Sequence, residues 1–193
     1  MRPLPTLVLA LAFSTPLLAG TIDVQVRDAR GGAVREAVVY ALPEGRQLPL
    51  ARRTAVMDQR NRMFVPHVLP VQTGTSVRFP NSDDIQHHVY SFSAAKNFQL
   101  PLYKGMPANP IVFDKPGVAT LGCNIHDMMS AFIVVVDTPY FAKTAGSGRV
   151  ALSDVEPGKY SVHVWYPEMR EEPPPQSVTV GGERVGVSFV ARR

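Results

Sequence analysis

Cys123-Asn124-Ile125-His126-Asp127-Met128-Met129 places a thiol, an imidazole and a thioether within seven positions and holds the only cysteine of the 193 residues. These are the soft and borderline donors that a copper site takes from side chains. An apolar, β-like run precedes the stretch (Gly117 to Leu121) and another follows it (Ala131 to Val136). The three donors therefore sit on a short connection between two strands. What they do depends on the frame that holds them.

The frame reads as all-β. Runs of Val, Ile, Phe and Tyr recur between Gly and Pro turns, and the chain holds 14 glycines and 18 prolines with no long helical period. The first residues are not part of it. Met1-Arg2 gives a positive start, Leu4 to Leu18 is mostly apolar, and Leu17-Leu18-Ala19-Gly20 supplies small residues for cleavage. This pattern predicts a secretory signal peptide over residues 1–19. The run is short for a membrane span and contains Pro5 and Pro16. No later stretch has the length or apolarity to span, so a soluble, exported protein is expected. In an exported chain a lone cysteine cannot close an internal disulfide. It is a free thiol, an intermolecular bridge or a ligand.

Charge excludes one large class of partner. The formal net charge is +4, and the basic residues are neither clustered nor interleaved with aromatics, so nucleic acid is not expected. Residues 54–138 carry six charges of each sign, which puts the excess outside that segment.

Three pieces follow along the chain. Thr21 to Pro43 predicts a hairpin about the Asp28–Gly32 turn, and Glu44 to Arg53 a polar connector. From Thr54 the strand candidates are Phe64–Val71, Ser76–Phe79, His88–Ser93 and Phe98–Tyr103. A hairpin is then expected from Pro110–Phe113 through Asp114–Gly117 to Val118–Leu121, and Ala131–Val136 closes the segment. Phe64–Val71 should be an edge or irregular strand, because it contains Pro66 and Pro70. Tyr140 to Ser147 reads as a linker. After it come a strand at Gly148–Leu152, the alternating strand Tyr160–Trp165, the proline-rich loop Pro167–Pro175, and a last hairpin from Val178–Val180 to Val185–Val190.

Residues 54–138 resemble the cupredoxins, the small blue-copper β-sandwiches such as plastocyanin and amicyanin. The likeness rests on Phe79-Pro80-Asn81-Ser82-Asp83, His87-His88-Val89-Tyr90, Phe113-Asp114-Lys115-Pro116-Gly117 and Cys123 to Met129, where Cys-x2-His-x2-Met matches the short ligand loop of amicyanin. The segment is similar above all to plastocyanin-like proteins labelled methylamine utilization proteins. Residues 21–45 and 148–190, with Val155-Glu156-Pro157-Gly158-Lys159-Tyr160, look like a carboxypeptidase regulatory-like sandwich. Together the two likenesses imply a Greek-key cupredoxin sandwich at 54–138, inserted into or joined to a second small sandwich at 20–53 and 139–193. A domain tolerates insertion where its loop ends lie close together.

Blue-copper sites use two imidazoles, one thiolate and a long axial thioether. The resemblance assigns these to His87, His126, Cys123 and Met129, around one type 1 copper. His87 and His88 compete for the first imidazole. A strand alternates its side chains, so only one of the two can point at the metal; the spacing from Asn81 favours His87. Cupredoxins commonly carry Asn where His88 stands. Met128 competes with Met129 and is expected to pack, and His67 is expected to be exposed. Zinc accepts Cys and His, but a methionine suits copper better. A Cys123 nucleophile with His126 as base lacks any oxyanion-hole or substrate signal, so no enzyme is expected.

The implied function is periplasmic single-electron transfer, with His126 as the surface port. The expected partner is a redox protein such as a c-type cytochrome or a dehydrogenase. The other reading is a non-catalytic copper-delivery or interaction module.

Overall fold

The structure is a computed structural model that describes residues 18–107, 109–167 and 169–192. The expected signal peptide therefore lies almost wholly outside the described residues. All described regular structure is β. Two strands open the chain, β1 (Gly20–Asp28) and β2 (Val38–Pro43). Ten follow: β3 (Thr54–Val56), β4 (Asp58–Arg60), β5 (Met63–Val65), β6 (Val68–Gln72), β7 (Thr75–Arg78), β8 (His87–Ser93), β9 (Lys96–Tyr103), β10 (Ile111–Phe113), β11 (Gly117–Gly122) and β12 (Ser130–Val136). Five close it: β13 (Phe141–Lys143), β14 (Arg149–Val155), β15 (Gly158–Trp165), β16 (Gln176–Val180) and β17 (Arg184–Ala191).

The strands from 54 to 136 pair among themselves. A five-stranded sheet runs β6-β12-β11-β8-β9 and faces a three-stranded sheet β10-β7-β3, with the hairpin β4-β5 beside them. Between the two sheets lies one apolar core that includes Val77, Phe79, Val89, Phe113, Leu121 and Ile133. The strands on either side of this segment also pair together, as β14-β1-β17 against β13-β2-β15-β16, around a separate core of Ile22, Val24, Val39, Tyr160, Val162 and Phe189. Strand β15 shows the cause at residue level. Tyr160, Val162 and Val164 are buried, while Ser161, His163 and Trp165 between them are only partly covered. A period of two puts one set of side chains on each face of the sheet.

A third cluster joins the two sandwiches. The five-stranded sheet offers Val68 on β6 and Phe132, Val134 and Val136 on β12, and these meet Val38, Phe141 and Trp165 of the flanking strands. Strand β12 is thus apolar on both faces, Ala131, Ile133 and Val135 turning inward and Phe132, Val134 and Val136 outward. The Phe132 and Trp165 rings lie 5.2 Å apart. Beside them Lys143 donates to a Glu36 carboxylate oxygen at 3.0 Å and to the Val68 carbonyl at 2.8 Å, and His67 meets the other Glu36 oxygen at 3.3 Å.

Three expected hairpins are not hairpins. The Asp28–Gly32 turn forms, with Gly31 N–H donating to Asp28 O at 3.0 Å, but β1 and β2 belong to opposite sheets. So do β10 and β11, and β16 and β17. In each case the chain crosses the sandwich instead of folding back within one sheet. Inward apolar residues suit either arrangement, because strands of facing sheets bury the same alternating positions. The Tyr140–Ser147 linker also contains a strand, β13, which pairs with β2. Phe64–Val71 is interrupted at Pro66, and its second part, β6, is an edge strand of its sheet.

Candidate metal centre

Two connections at one end of the inner sandwich build the site. The first, residues 79–86, leads into β8. Asn81 ties it down: its side-chain amide donates to the carbonyls of Ile85 and Tyr103, both at 2.8 Å, and its Oδ1 accepts from Asp83 N–H at 3.0 Å. The second is the seven-residue loop between the hydrogen-bonded neighbours β11 and β12. Met129 N–H donates to His126 O at 2.9 Å, which makes a tight turn at the end of this loop.

The two loops bring His87, Cys123 and His126 together, with ligand-capable atoms all within 4.8 Å of one another. Cys123 Sγ lies 3.9 Å from His126 Nδ1, and the His87 and His126 rings have centroids 5.0 Å apart, tilted by 64°. Cys123 and His87 are buried, and His126 is half-buried. Met129 is 1% exposed within the same apolar cluster as Cys123, whereas Met128 is 94% exposed. Met128 therefore projects into water instead of packing, contrary to expectation. Among the described residues, no other group of three His, Cys, Asp or Glu side chains offers such a convergence.

The donor set fits a metal on a specific observation. His87 Nε2 contacts Asp83 Oδ2 at 2.8 Å, while His87 Nδ1 is buried without a hydrogen-bond partner. A buried ring nitrogen left unpaired costs about 1–3 kcal/mol, and binding a metal removes that cost. A buried thiol and imidazole beside it complete the blue-copper ligand types.

His87 and His88 are both buried, but only His87 joins the triad, as the alternation of a strand requires. His88 tilts against Tyr90 at 5.5 Å, away from the triad. Its own Nδ1 is also buried and unpaired. His67 is exposed, as expected, and is engaged with Glu36.

Three supporting residues were not singled out from sequence. Burial alone would raise the Asp83 carboxyl, but Arg62 N–H, His87 and Asn61 N–H all favour the anion and hold it below the ordinary range. Buried Gln59 donates to the Tyr103 hydroxyl and, at 3.1 Å, to Pro80 O; Tyr103 in turn donates to Phe79 O at 2.7 Å. Burial chiefly, with the nearby Asp58 and Cys123, pushes the Tyr103 phenol up to about 12, against a smaller opposing effect of Gln59. A carboxylate four residues before His87 was the one visible signal for Asp83. Nothing local marked Gln59 or Tyr103.

No family model and no curated protein matches the chain. Solved structures do. A purple cupredoxin from Nitrosopumilus maritimus matches at 22% identity over 42% of this chain and 96% of its own, with a TM-score of 0.37. An oxidized amicyanin variant matches at 19% identity over 50% of this chain and 99% of its own, with a TM-score of 0.39. A copper-containing nitrite reductase from Thermus scotoductus matches at 24% identity over 50% of this chain and 26% of its own, with a TM-score of 0.40.

Proposed function

We propose that the protein is a periplasmic single-copper electron carrier, with the metal held by His87, Cys123, His126 and Met129. The observation that carries this reading is the convergence of a buried thiol and two imidazoles, one with an orphaned Nδ1. Copper, when bound, supplies a one-electron change between Cu(I) and Cu(II). The chain's residues supply the rest. Cys123 gives a thiolate shielded from water, which keeps the sulfur from oxidation and disulfide exchange. Fixed loops hold the imidazoles in one arrangement for both valences, so little reorganises when an electron passes. Met129 closes the inner side of the site.

His126 is the half-buried member of the set and serves as the port. Exposed Ile85, Met106, Ile125 and Met128 lie on the loops at this end. Such a rim suits a small, short-lived contact with a redox protein, a c-type cytochrome or a dehydrogenase. In this reading residues 54–138 form a cupredoxin inserted into a flanking sandwich made by residues 20–53 and 139–193. The leader over residues 1–19 directs export. No helix among the described residues is long and apolar enough to cross a membrane.

The test is a spectrum with metal analysis of purified, copper-loaded protein. A strong visible thiolate-to-copper band is expected, along with a reversible one-electron couple, and Cys123→Ser abolishes the band. A colourless protein that holds only zinc overturns the proposal. Copper released on reduction replaces it with the delivery reading.

A further inference from the structure

Among the described residues, one side chain outside the donor set is hydrogen-bonded to a proposed ligand. Asp83 Oδ2 lies 2.8 Å from His87 Nε2. An ionised carboxylate only accepts hydrogen bonds, so Nε2 carries the proton and donates. In the neutral ring that leaves Nδ1 as the bare nitrogen, and Nδ1 is the buried atom without a partner.

Asp83 is itself gripped from another element. The hairpin of β4 and β5 pairs Arg60 with Met63, leaving Asn61 and Arg62 as a two-residue turn. Both have positive φ, 54° and 57°, the backbone that such a turn demands. Asn tolerates this region, but Arg does so at a cost, and glycine is the usual second residue. In this conformation both turn amides aim at one carboxylate. Asn61 N–H donates to Asp83 Oδ1 at 2.6 Å and Arg62 N–H to Asp83 Oδ2 at 2.9 Å. The hairpin base is fixed as well, since Gln59 N–H donates to Pro80 O and Ser82 N–H to Gln59 O.

We propose that Asp83, clamped by the turn amides of the β4–β5 hairpin, is a positioning residue that sets the tautomer and ring orientation of His87 for metal binding. The proposal rests on reading His87 as a ligand. A carboxylate behind a metal-bound imidazole raises the basicity of the ligating nitrogen and removes the entropy of ring rotation. The hairpin pairs with neither large sheet as a strand, and its Phe64 and Gln59 anchor it in the interior.

The experiment compares wild type with Asp83→Asn, Arg62→Val and Asp84→Asn. Asp84 is the neighbouring carboxylate, fully exposed and 3.4 Å from Lys104. Its replacement removes the same charge without touching His87. Two readouts are used: the His87 tautomer in metal-free protein, by long-range nitrogen-15 NMR, and Cu(I) affinity against a competing chelator. Wild type is expected to show the Nε2–H tautomer. Asp83→Asn should mix the tautomers and weaken Cu(I) binding by about 10- to 100-fold, the usual range for such partners. Arg62→Val, which puts a β-branched residue at positive φ and displaces the clamp, should move both readouts in the same direction by less. Asp84→Asn should match wild type. A wild-type tautomer and affinity in Asp83→Asn overturns the proposal, as does an equal loss in Asp84→Asn. If wild type binds no copper, the electron-carrier reading fails, while the tautomer of metal-free protein still decides the role of Asp83.

Discussion

Gly122 precedes the cysteine and pairs with Tyr90 across β11 and β8. A Cβ at Gly122 would lie 2.5 Å from the Tyr90 ring, so the ring occupies the space a side chain would need. Gly122→Ala must push the ring aside, at an expected cost of about 1–3 kcal/mol, the range for overpacking. Chemical denaturation should show most of this cost vanishing in a Tyr90→Ala background; full persistence would place the strain in the backbone. Thr144 makes a second sharp case. Its buried hydroxyl accepts from Ala37 N–H at 3.0 Å and donates to Val34 O at 2.7 Å. Thr144→Val keeps the shape but strands two backbone groups, and unfolding should register a loss of about 1–3 kcal/mol or more. At this scale the sequence was most readable where chemistry is rare. One cysteine and five histidines leave few ways to assemble a soft-metal site. Asp83 was less readable, because its partners are main-chain amides of a remote turn, and amides carry no sequence signature.

Strands were readable at the next scale, and sheets were not. Alternation marked β1 and β15, in which every second residue from Ile22 to Val26 and from Tyr160 to Val164 is buried. It could not distinguish a turn that folds back within a sheet from one that crosses between sheets. The three mistaken hairpins share that cause. Strand β12 carries a clue that could have been used: six apolar residues in succession, Ala131 to Val136, mean burial on both faces. Val134 faces the flanking strands, not the inner core. Val134→Asp should therefore destabilise by several kcal/mol, as an unpaired charge in an apolar contact does. The visible spectrum of any copper-loaded protein that remains folded should stay unchanged, since the position is remote from the loops. A selective spectral change with normal stability would contradict that placement.

For the molecule as a whole, the contact between the two sandwiches is the least sequence-evident feature. It is made from outward residues that either half alone would expose. Residues 54–138 expressed separately should aggregate, and replacing Phe132 and Val134 with polar residues should restore solubility; a monodisperse, unmodified fragment would show the contact to be dispensable. The same junction carries a pH dependence. Burial raises the Glu36 carboxyl, but Lys143 and His67 outweigh it and the net shift is downward from 4.5. A carboxyl with a depressed folded-state pKa stabilises above its unfolded value, and the benefit is lost as pH falls through the folded value. Wild type should thus melt higher than Glu36→Gln at neutral pH, and the difference should close as pH falls through the depressed folded-state value. A difference that persists unchanged in acid would assign it to packing.

The parallel pairing of β1 with β17 has a mechanical consequence. Eight successive residue pairs, from Thr21 with Arg184 to Asp28 with Ala191, run side by side in the same direction. Tension applied between Gly20 and Ala191 pulls these strands along their length, so the ladder bonds load together instead of unzipping singly. The segment that carries the candidate metal site lies between β2 and β13 in the chain, outside the direct line of force. A stretched molecule should hold to a single abrupt rupture of that clamp, and the ligand loops should feel no load until it parts.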